Sequence, residues 1–125
     1  MEDIRALDLD ANLVVLSACS TAEGELEPGE GVESLATGCM YAGARHVIAS
    51  LWSVSDTAAA QTMEAFYAAY LREGLRPAAA LRRAKLAIRS SQVSWRLRHA
   101  GGLRSADLVR ADHPFFWAPF VHLGL

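Results

Sequence analysis

The chain has 125 residues, of which 52% are hydrophobic and 21% charged, and its formal net charge is -2. This length accommodates one domain, and this apolar content can offset the entropy of folding, so the composition excludes a disordered chain. The longest apolar stretch, residues 35–52, is interrupted by Arg45 and His46, and the chain starts with acidic and polar residues rather than a secretory leader, so we expect a cytoplasmic protein without a membrane span.

Charge is distributed unevenly along the chain. Residues 1–33 carry nine acidic side chains and one basic one, whereas residues 72–110 carry ten basic and two acidic ones. Several basic residues of the second block lie on one side of a predicted helix, opposite Leu81, Ala84 and Ile88, which is typical of a solvated face. Because no aromatic residues interleave with them and no DNA- or RNA-reading motif occurs, we expect no nucleic-acid partner.

The first predicted elements are a strand and a helix separated by a long loop. Leu13 to Ser17 is an apolar run rich in β-branched residues, typical of a strand covered on both faces in a parallel sheet. Residues 20–31 are rich in Gly, Pro and Glu, which predicts an exposed acidic loop. Apolar residues then recur at helical spacing from Val32 to Cys39, and Gly43 follows at the expected C-terminal position, so Cys39 should face the core.

The rest of the chain predicts two more helices and two more strands. His46 to Trp52 reads as a buried strand, and residues 53–57 supply capping residues for an amphipathic helix that extends to Gly74. Pro77 should begin a third helix, where its missing N–H group costs no hydrogen bond. Residues 92–112 predict a variable loop with a marginal helical piece, because they show no sustained periodicity. Phe115 to Leu123 predicts a last strand, which Pro119 confines to a sheet edge or a bulge.

This order of elements predicts a single α/β domain with a mostly parallel sheet and helices on both of its faces. Three strands make a small sheet whose edges would carry exposed pairing groups. We therefore expect further strands upstream of residue 1, and we expect the chain to associate through the apolar surface that those strands would cover.

The two cysteines are too few for a disulfide framework and are expected to be free thiols. Cys19 comes just past the carboxyl end of a predicted strand, where open α/β sheets place functional groups. Its thiolate would need a positive field or a basic partner such as His in order to form. Taken alone, Cys19 fits either a nucleophile or a small buried hydrophobe, and Cys39 fits the second description.

The histidines and glycines do not define a further site. His46 and His122 fall in predicted strands, where packing explains them, whereas His99 and His113 are candidates for a general base that no local pattern supports. No cluster of Cys and His has the spacing of a zinc site, so we expect no metal. The Gly29-Glu30-Gly31 segment lies too far beyond the strand for a dinucleotide fingerprint and lacks its third glycine, so we expect no cofactor.

Five segments matter when they are taken together: Leu13 to Thr21, Gly29 to Val32, Ala42 to Asp56, Gly74 to Leu81 and His113 to Phe120. They resemble the CHAT domain family, bacterial caspase-like modules that are related to caspases and separase and often follow tetratricopeptide repeats. Each segment is weak alone, but the combination is specific. The resemblance implies a caspase-like three-layer sandwich, of which residues 1–125 would be the C-terminal part.

The resemblance also implies a cysteine endopeptidase that hydrolyses a protein or peptide substrate. Cys19 matches the family's nucleophile. Ser50, Trp52 and Asp56 fall in the segment that lines the substrate cleft, where Asp56 would favour a basic substrate side chain. From the residues alone, Asp56 has the more ordinary role of a helix cap.

The sequence departs from the family pattern in two respects. Ser20-Thr21-Ala22 stands where Glu, Thr and Gly are common, and no His precedes Cys19, although the family's general base is a His in a His-Gly motif upstream of the cysteine. Losing a general base lowers a rate by roughly 100- to 10,000-fold, so we expect this chain alone to be almost inert.

We therefore interpret the chain as the nucleophile-bearing part of a peptidase whose upstream half, the other part of the CHAT domain, supplies the His. One alternative is a non-catalytic CHAT remnant that serves as a protein-interaction or scaffold module. Another is a free-standing α/β binding domain, which the misplaced glycines disfavour.

Overall fold

The computed structural model describes residues 2–17, 30–52, 56–95, 98–99, 102–103 and 107–124. These residues divide into two compact units, Met1–Ser53 with Pro119–Leu125, and Val54–Ala118. In chain order, the described elements are α1 (Glu2–Arg5), β1 (Leu13–Leu16), α2 (Glu30–Tyr41), β2 (His46–Ser50), α3 (Asp56–Tyr67) with a π-helical turn (Ala68–Arg72), α4 (Pro77–Arg89), β3 (Gln92–Trp95), β4 (Arg98–His99), β5 (Gly102–Leu103), β6 (Asp107–Arg110), α5 (Pro114–Trp117) and β7 (Phe120–Gly124).

The first unit is built on a three-stranded sheet in the order β1-β2-β7. β1 runs parallel to β2, with Leu16 opposite Ala49, and β7 runs antiparallel to β2, with Phe120 opposite Ser50. The sheet is therefore mixed, which corrects the prediction of a mostly parallel one. The chain enters β7 at the carboxyl end of β2, where the Leu51 N–H group donates a 2.8 Å hydrogen bond to the Pro119 carbonyl, and a strand that enters at that end must run antiparallel.

Strand alternation gives this sheet two different faces, because successive side chains point to opposite sides. One face packs with α2 in a core that includes the buried residues Ala36, Cys39, Val47 and Ala49. The inward orientation predicted for Cys39 is thus confirmed. The strand residues packed in this core alternate, as expected of one face: Val14 and Leu16 in β1, and Val121 and Leu123 in β7.

α2 ends where the sequence predicts. Gly43 has a φ of +108° and follows the last helical residue, Tyr41, by two positions. The Gly43 N–H group donates to the Met40 carbonyl at 3.1 Å, and the Ala44 N–H group donates to the Cys39 carbonyl at 3.0 Å. These bonds satisfy carbonyl groups that the end of a helix leaves open, and they turn the chain toward β2.

The second unit contains the helix pair α3 and α4 and a two-stranded antiparallel sheet, β3-β6. Gly74, with a φ of +67°, follows the π-helical turn, and Pro77 begins α4 after the extended residue Arg76, as predicted. The core of the second unit contains Ala58, Ile88, Val93 and Ala111, and the three aromatic residues of α5 pack against them.

Two sequence predictions in this region are wrong. Phe115 to Leu123 is not one strand, because α5 occupies its first part and β7 begins only after Pro119. The ring of His113 accepts a 3.1 Å hydrogen bond from the Phe115 N–H group, and Pro114 follows at the first helical position, so this segment has the start of a helix. Within residues 92–110, the described residues form short strands in place of a loop with a helical piece, whereas the variability expected of this segment stays a prediction.

Candidate functional site

The candidate site residues from the sequence fall in different parts of the structure. Ser50 and Trp52 belong to the first unit, and Asp56 belongs to the second. Cys19 lies outside the described residues, so its role as nucleophile stays a prediction. The three described residues differ in exposure. Ser50 is buried, with 9% of its surface exposed, whereas Trp52 is 37% exposed and Asp56 is exposed at the start of α3.

The segment after β2 is held by hydrogen bonds. The Ser50 hydroxyl group donates a 2.7 Å hydrogen bond to the Trp52 carbonyl, and the Leu51 N–H group is bound by the Pro119 carbonyl. Because the Ser50 hydroxyl donates its hydrogen within this turn, Ser50 is suited to positioning the backbone that carries Trp52. Trp52 as a whole residue is left with more than a third of its surface exposed.

Asp56 is the first residue of α3. A carboxylate there interacts favourably with the positive end of the helix dipole. Because Asp56 is exposed, its carboxylate is accessible to a cationic group that approaches from solvent.

A cavity of about 190 Å³ lies in the first unit between α2, β2 and β7. Its lining is mainly apolar and comprises Val32, Glu33, Ala36, Ala49, Leu51, Val121, His122 and Leu123. Sequence reasoning missed this cavity. The sequence feature that corresponds to the cavity is a pair of small residues in its lining, Ala36 on α2 and Ala49 on the central strand. Neither has a side chain large enough to fill the space between helix and sheet.

Two histidines meet in the first unit. The Nδ1 atom of His46 lies 3.1 Å from the Nε2 atom of His122, and the ring centroids are 5.2 Å apart. Burial lowers the pKa of His122, and the neighbouring His46 lowers it further. The strand positions of both residues agree with the sequence, but their pairing depends on the β2–β7 register, which the sequence did not provide.

Cys39 and His113 have structural roles. Burial raises the pKa of the Cys39 thiol, so this thiol is a poor nucleophile at neutral pH. His113 caps α5. Within the described ranges, no group of three His, Cys, Asp or Glu side chains is placed to hold a metal ion. Nor does that part of the chain contain a helix with the length and apolarity needed to cross a bilayer.

Comparison with known proteins identifies the family. The chain matches the CHAT domain over residues 1–125. It is 30% identical over 122 residues to tetratricopeptide repeat protein 28 of Homo sapiens, an alignment that covers 98% of this chain and 4% of the length of that protein. No solved structure matches the chain significantly. The chain belongs to the CHAT domain family.

Proposed function

We propose that this chain is the nucleophile-bearing, C-terminal part of a caspase-like cysteine endopeptidase with Cys19 as the nucleophile. The observation that carries the proposal is the parallel pairing of β1 with β2, with Leu16 opposite Ala49. Because parallel neighbours end at the same edge of a sheet, both strands lead toward one place, where α/β proteins position functional groups. The sequence continues from β1 to Cys19 and from β2 to Trp52. The mixed sheet with α2 on one face fits part of a three-layer sandwich.

In the proposed reaction, the Cys19 thiolate attacks the carbonyl carbon of a peptide bond. A His from a segment that precedes this chain in the whole protein takes the thiol proton and then gives it to the leaving amine. Water attacks the resulting thioester, releases the carboxylic acid product and restores the thiol. Membership of the CHAT family supports this chemistry.

The described residues would contribute to substrate binding. Ser50 acts by holding the turn that carries Trp52, through its hydrogen bond to the Trp52 carbonyl. The partly exposed Trp52 would offer an apolar surface to a substrate side chain. The Asp56 carboxylate would favour a basic substrate side chain.

The partners of this domain are also part of the proposal. The chain spans 4% of the length of its human relative, whose name assigns it tetratricopeptide repeats. We expect repeats of that kind to accompany this domain in the whole protein and to bring it to protein substrates.

The test is peptide cleavage by the domain produced together with its natural upstream segment. Cys19→Ala should abolish cleavage of a peptide library, whereas Cys39→Ala should preserve it, because Cys39 is packed against the sheet. Cleavage that survives Cys19→Ala would overturn the proposal. So would a complete domain that cleaves no peptide and whose Cys19 alkylates no faster than a peptide thiol, and this result would favour the scaffold alternative.

A second measurement tests Asp56. Asp56→Asn should lower kcat/KM for substrates with a basic side chain by up to about five-fold, the effect of an exposed ion pair of roughly 0.2–1 kcal/mol. Substrates with an uncharged side chain of similar length should be cleaved as before. An unchanged preference in Asp56→Asn would remove this residue from the proposed cleft.

A further inference from the structure

We propose that the outer edge of β7 and the cavity beside it bind an extended peptide that carries a lysine or arginine side chain. This peptide-docking surface consists of β7 (Phe120–Gly124) and the cavity residues Val32, Glu33, Ala36, Ala49 and Leu51. It lies entirely within the first unit. Binding there does not require Cys19, so the proposal goes beyond the peptidase function.

The first observation is the edge position of β7. In the order β1-β2-β7, no described strand pairs with the outer side of β7. Natural edge strands are commonly protected by lysines, other charged residues, prolines or bulges. β7 reads Phe-Val-His-Leu-Gly and has none of these protective residues, and its pairing with β2 is regular over all five positions. The outer backbone groups of such a strand can pair with a peptide that adds as a fourth strand.

The second observation is the cavity beside this edge. Val121 and Leu123 of β7 both line the cavity, which lies on the α2 face of the sheet. A peptide added to β7 would direct every second side chain to this same face. The cavity measures about 190 Å³. A cavity of about 150 Å³ holds a benzene molecule, and drug-sized ligands need about 300 Å³ or more, so one amino-acid side chain is the occupant that fits.

The third observation is the charge at the cavity. Its lining is apolar apart from Glu33 and His122, and His122 is paired with His46. The Glu33 residue is exposed. The ion pairs among the described residues are Arg45–Asp10, Arg83–Glu73 and Arg110–Asp112, and none involves Glu33. An apolar cavity with a carboxylate at its surface complements a side chain that has an aliphatic stem and a cationic head.

This charge favours a basic peptide over a second copy of the chain as the occupant. Pairing of two β7 strands would present residues 119–124 of one copy to the surface of the other. That segment contains no lysine or arginine, so it offers no cationic head to Glu33. A basic peptide can pair its backbone with the outer edge of β7 and also place a cationic group near the Glu33 carboxylate.

The test measures binding of short labelled peptides to the full chain by fluorescence anisotropy. Cys19→Ala is used throughout, so that any cleavage cannot affect the result and failure of the peptidase proposal leaves this test intact. The probe is a seven-residue peptide of alternating Thr and Val with a central Lys and blocked ends, and the matched probe has Met in place of Lys. We expect the Lys peptide to bind about five-fold or more tightly than the Met peptide, and Glu33→Gln to abolish this difference.

Two controls separate the strand edge from the charge. Glu64→Gln, which removes an exposed carboxylate from α3, should leave the preference for Lys unchanged. Peptides that are N-methylated on alternate residues should bind in one register and lose binding in the other, because only one set of N–H groups faces β7.

The proposal is overturned if Glu33→Gln keeps the preference for Lys, or if N-methylation in both registers leaves binding unchanged. It is also overturned if the chain forms a dimer through the outer edge of β7 that the Lys peptide does not dissociate, because a second copy then occupies that edge. Loss of the Lys preference in Glu33→Gln together with register-dependent binding supports it.

Discussion

His46 and His122 share a hydrogen bond across two antiparallel strands, with 3.1 Å between the Nδ1 atom of His46 and the Nε2 atom of His122. They are diagonal neighbours, since the register places His46 opposite Gly124 and His122 opposite Ile48. One ring nitrogen must donate and the other accept, so this bond exists only while at least one ring is neutral. The pair therefore links the pairing of β2 and β7 to pH.

The free energy of unfolding should depend on the protonation of His122. Burial, and then His46, lower the pKa of this residue, so the folded chain binds fewer protons there than the unfolded chain, whose histidine titrates at about 6.5. Stability rises with pH wherever the unfolded state binds more protons. We expect this contribution to be complete above about pH 7.5 and to be lost as the pH falls through about 6.5 toward the folded pKa. Urea denaturation at a series of pH values between 7.5 and 5.5 measures this contribution to the free energy of unfolding.

The control for this prediction is a second histidine. His122→Gln should reduce the change in stability between pH 7.5 and 5.5, whereas His113→Asn, which keeps an acceptor at the cap of α5, should preserve it. Identical pH profiles in the wild type and His122→Gln would contradict the prediction.

Gly43 and Gly74 should differ in their tolerance of alanine. Gly43 has a φ of +108°, and a Cβ atom there would lie 3.3 Å from the Asp10 backbone nitrogen. Strain and crowding combine, so Gly43→Ala should lower the free energy of unfolding by about 2–3 kcal/mol. Gly74 has a φ of +67° and no heavy atom within 4 Å of such a Cβ atom, so Gly74→Ala should cost about 1 kcal/mol. Urea titrations of both variants rank them, and the reverse order would refute the argument.

Elements with strong local signals were predictable from the sequence. The apolar run of β1 and β2, the helical spacing before Gly43 and the position of Pro77 each specify structure over a few residues. β3 and β6 gave no such signal, because each is a four-residue strand stabilised by pairing with a partner many positions away. The helical turn α5 did have a local signal, Pro114 after His113, but the surrounding apolar residues favoured a strand interpretation.

The site was less predictable than the fold, because it is assembled from distant segments. The cavity needs α2, β2 and β7 together, and neither Ala36 nor Ala49 indicates by itself that it borders a void. The register of β7 on β2 decides that the two histidines meet, and a shift of one residue would place them on opposite faces. The role of Cys19 came from the family resemblance and stays a prediction.

Phe66 should be a major contributor to the stability of the chain. It is 0% exposed, and its ring stacks on Tyr70 with 5.8 Å between centroids. Phe66→Ala should lower the free energy of unfolding by about 3–5 kcal/mol, through lost burial and the cavity left behind. The matched control is Leu71→Ala, because Leu71 is 69% exposed and its truncation should change stability by about 0.5 kcal/mol or less. Similar denaturation midpoints for the two variants would contradict this assignment.

Cys39 should react slowly with alkylating reagents in the folded chain. Its side chain is buried at 5% exposure, and burial raises the pKa of its thiol, so little thiolate forms and the reagent reaches it only when the structure opens. A local opening of about 3 kcal/mol slows labelling roughly 100-fold relative to the unfolded chain. Mass spectrometry of iodoacetamide labelling at pH 7.5 should therefore show one thiol that is labelled slowly, and this slow labelling phase should be absent in Cys39→Ala. Any faster phase should persist in Cys39→Ala and disappear in Cys19→Ala. If Cys39→Ala instead removes the faster phase, the buried position of Cys39 and the assignment of Cys19 as the more reactive thiol are both wrong.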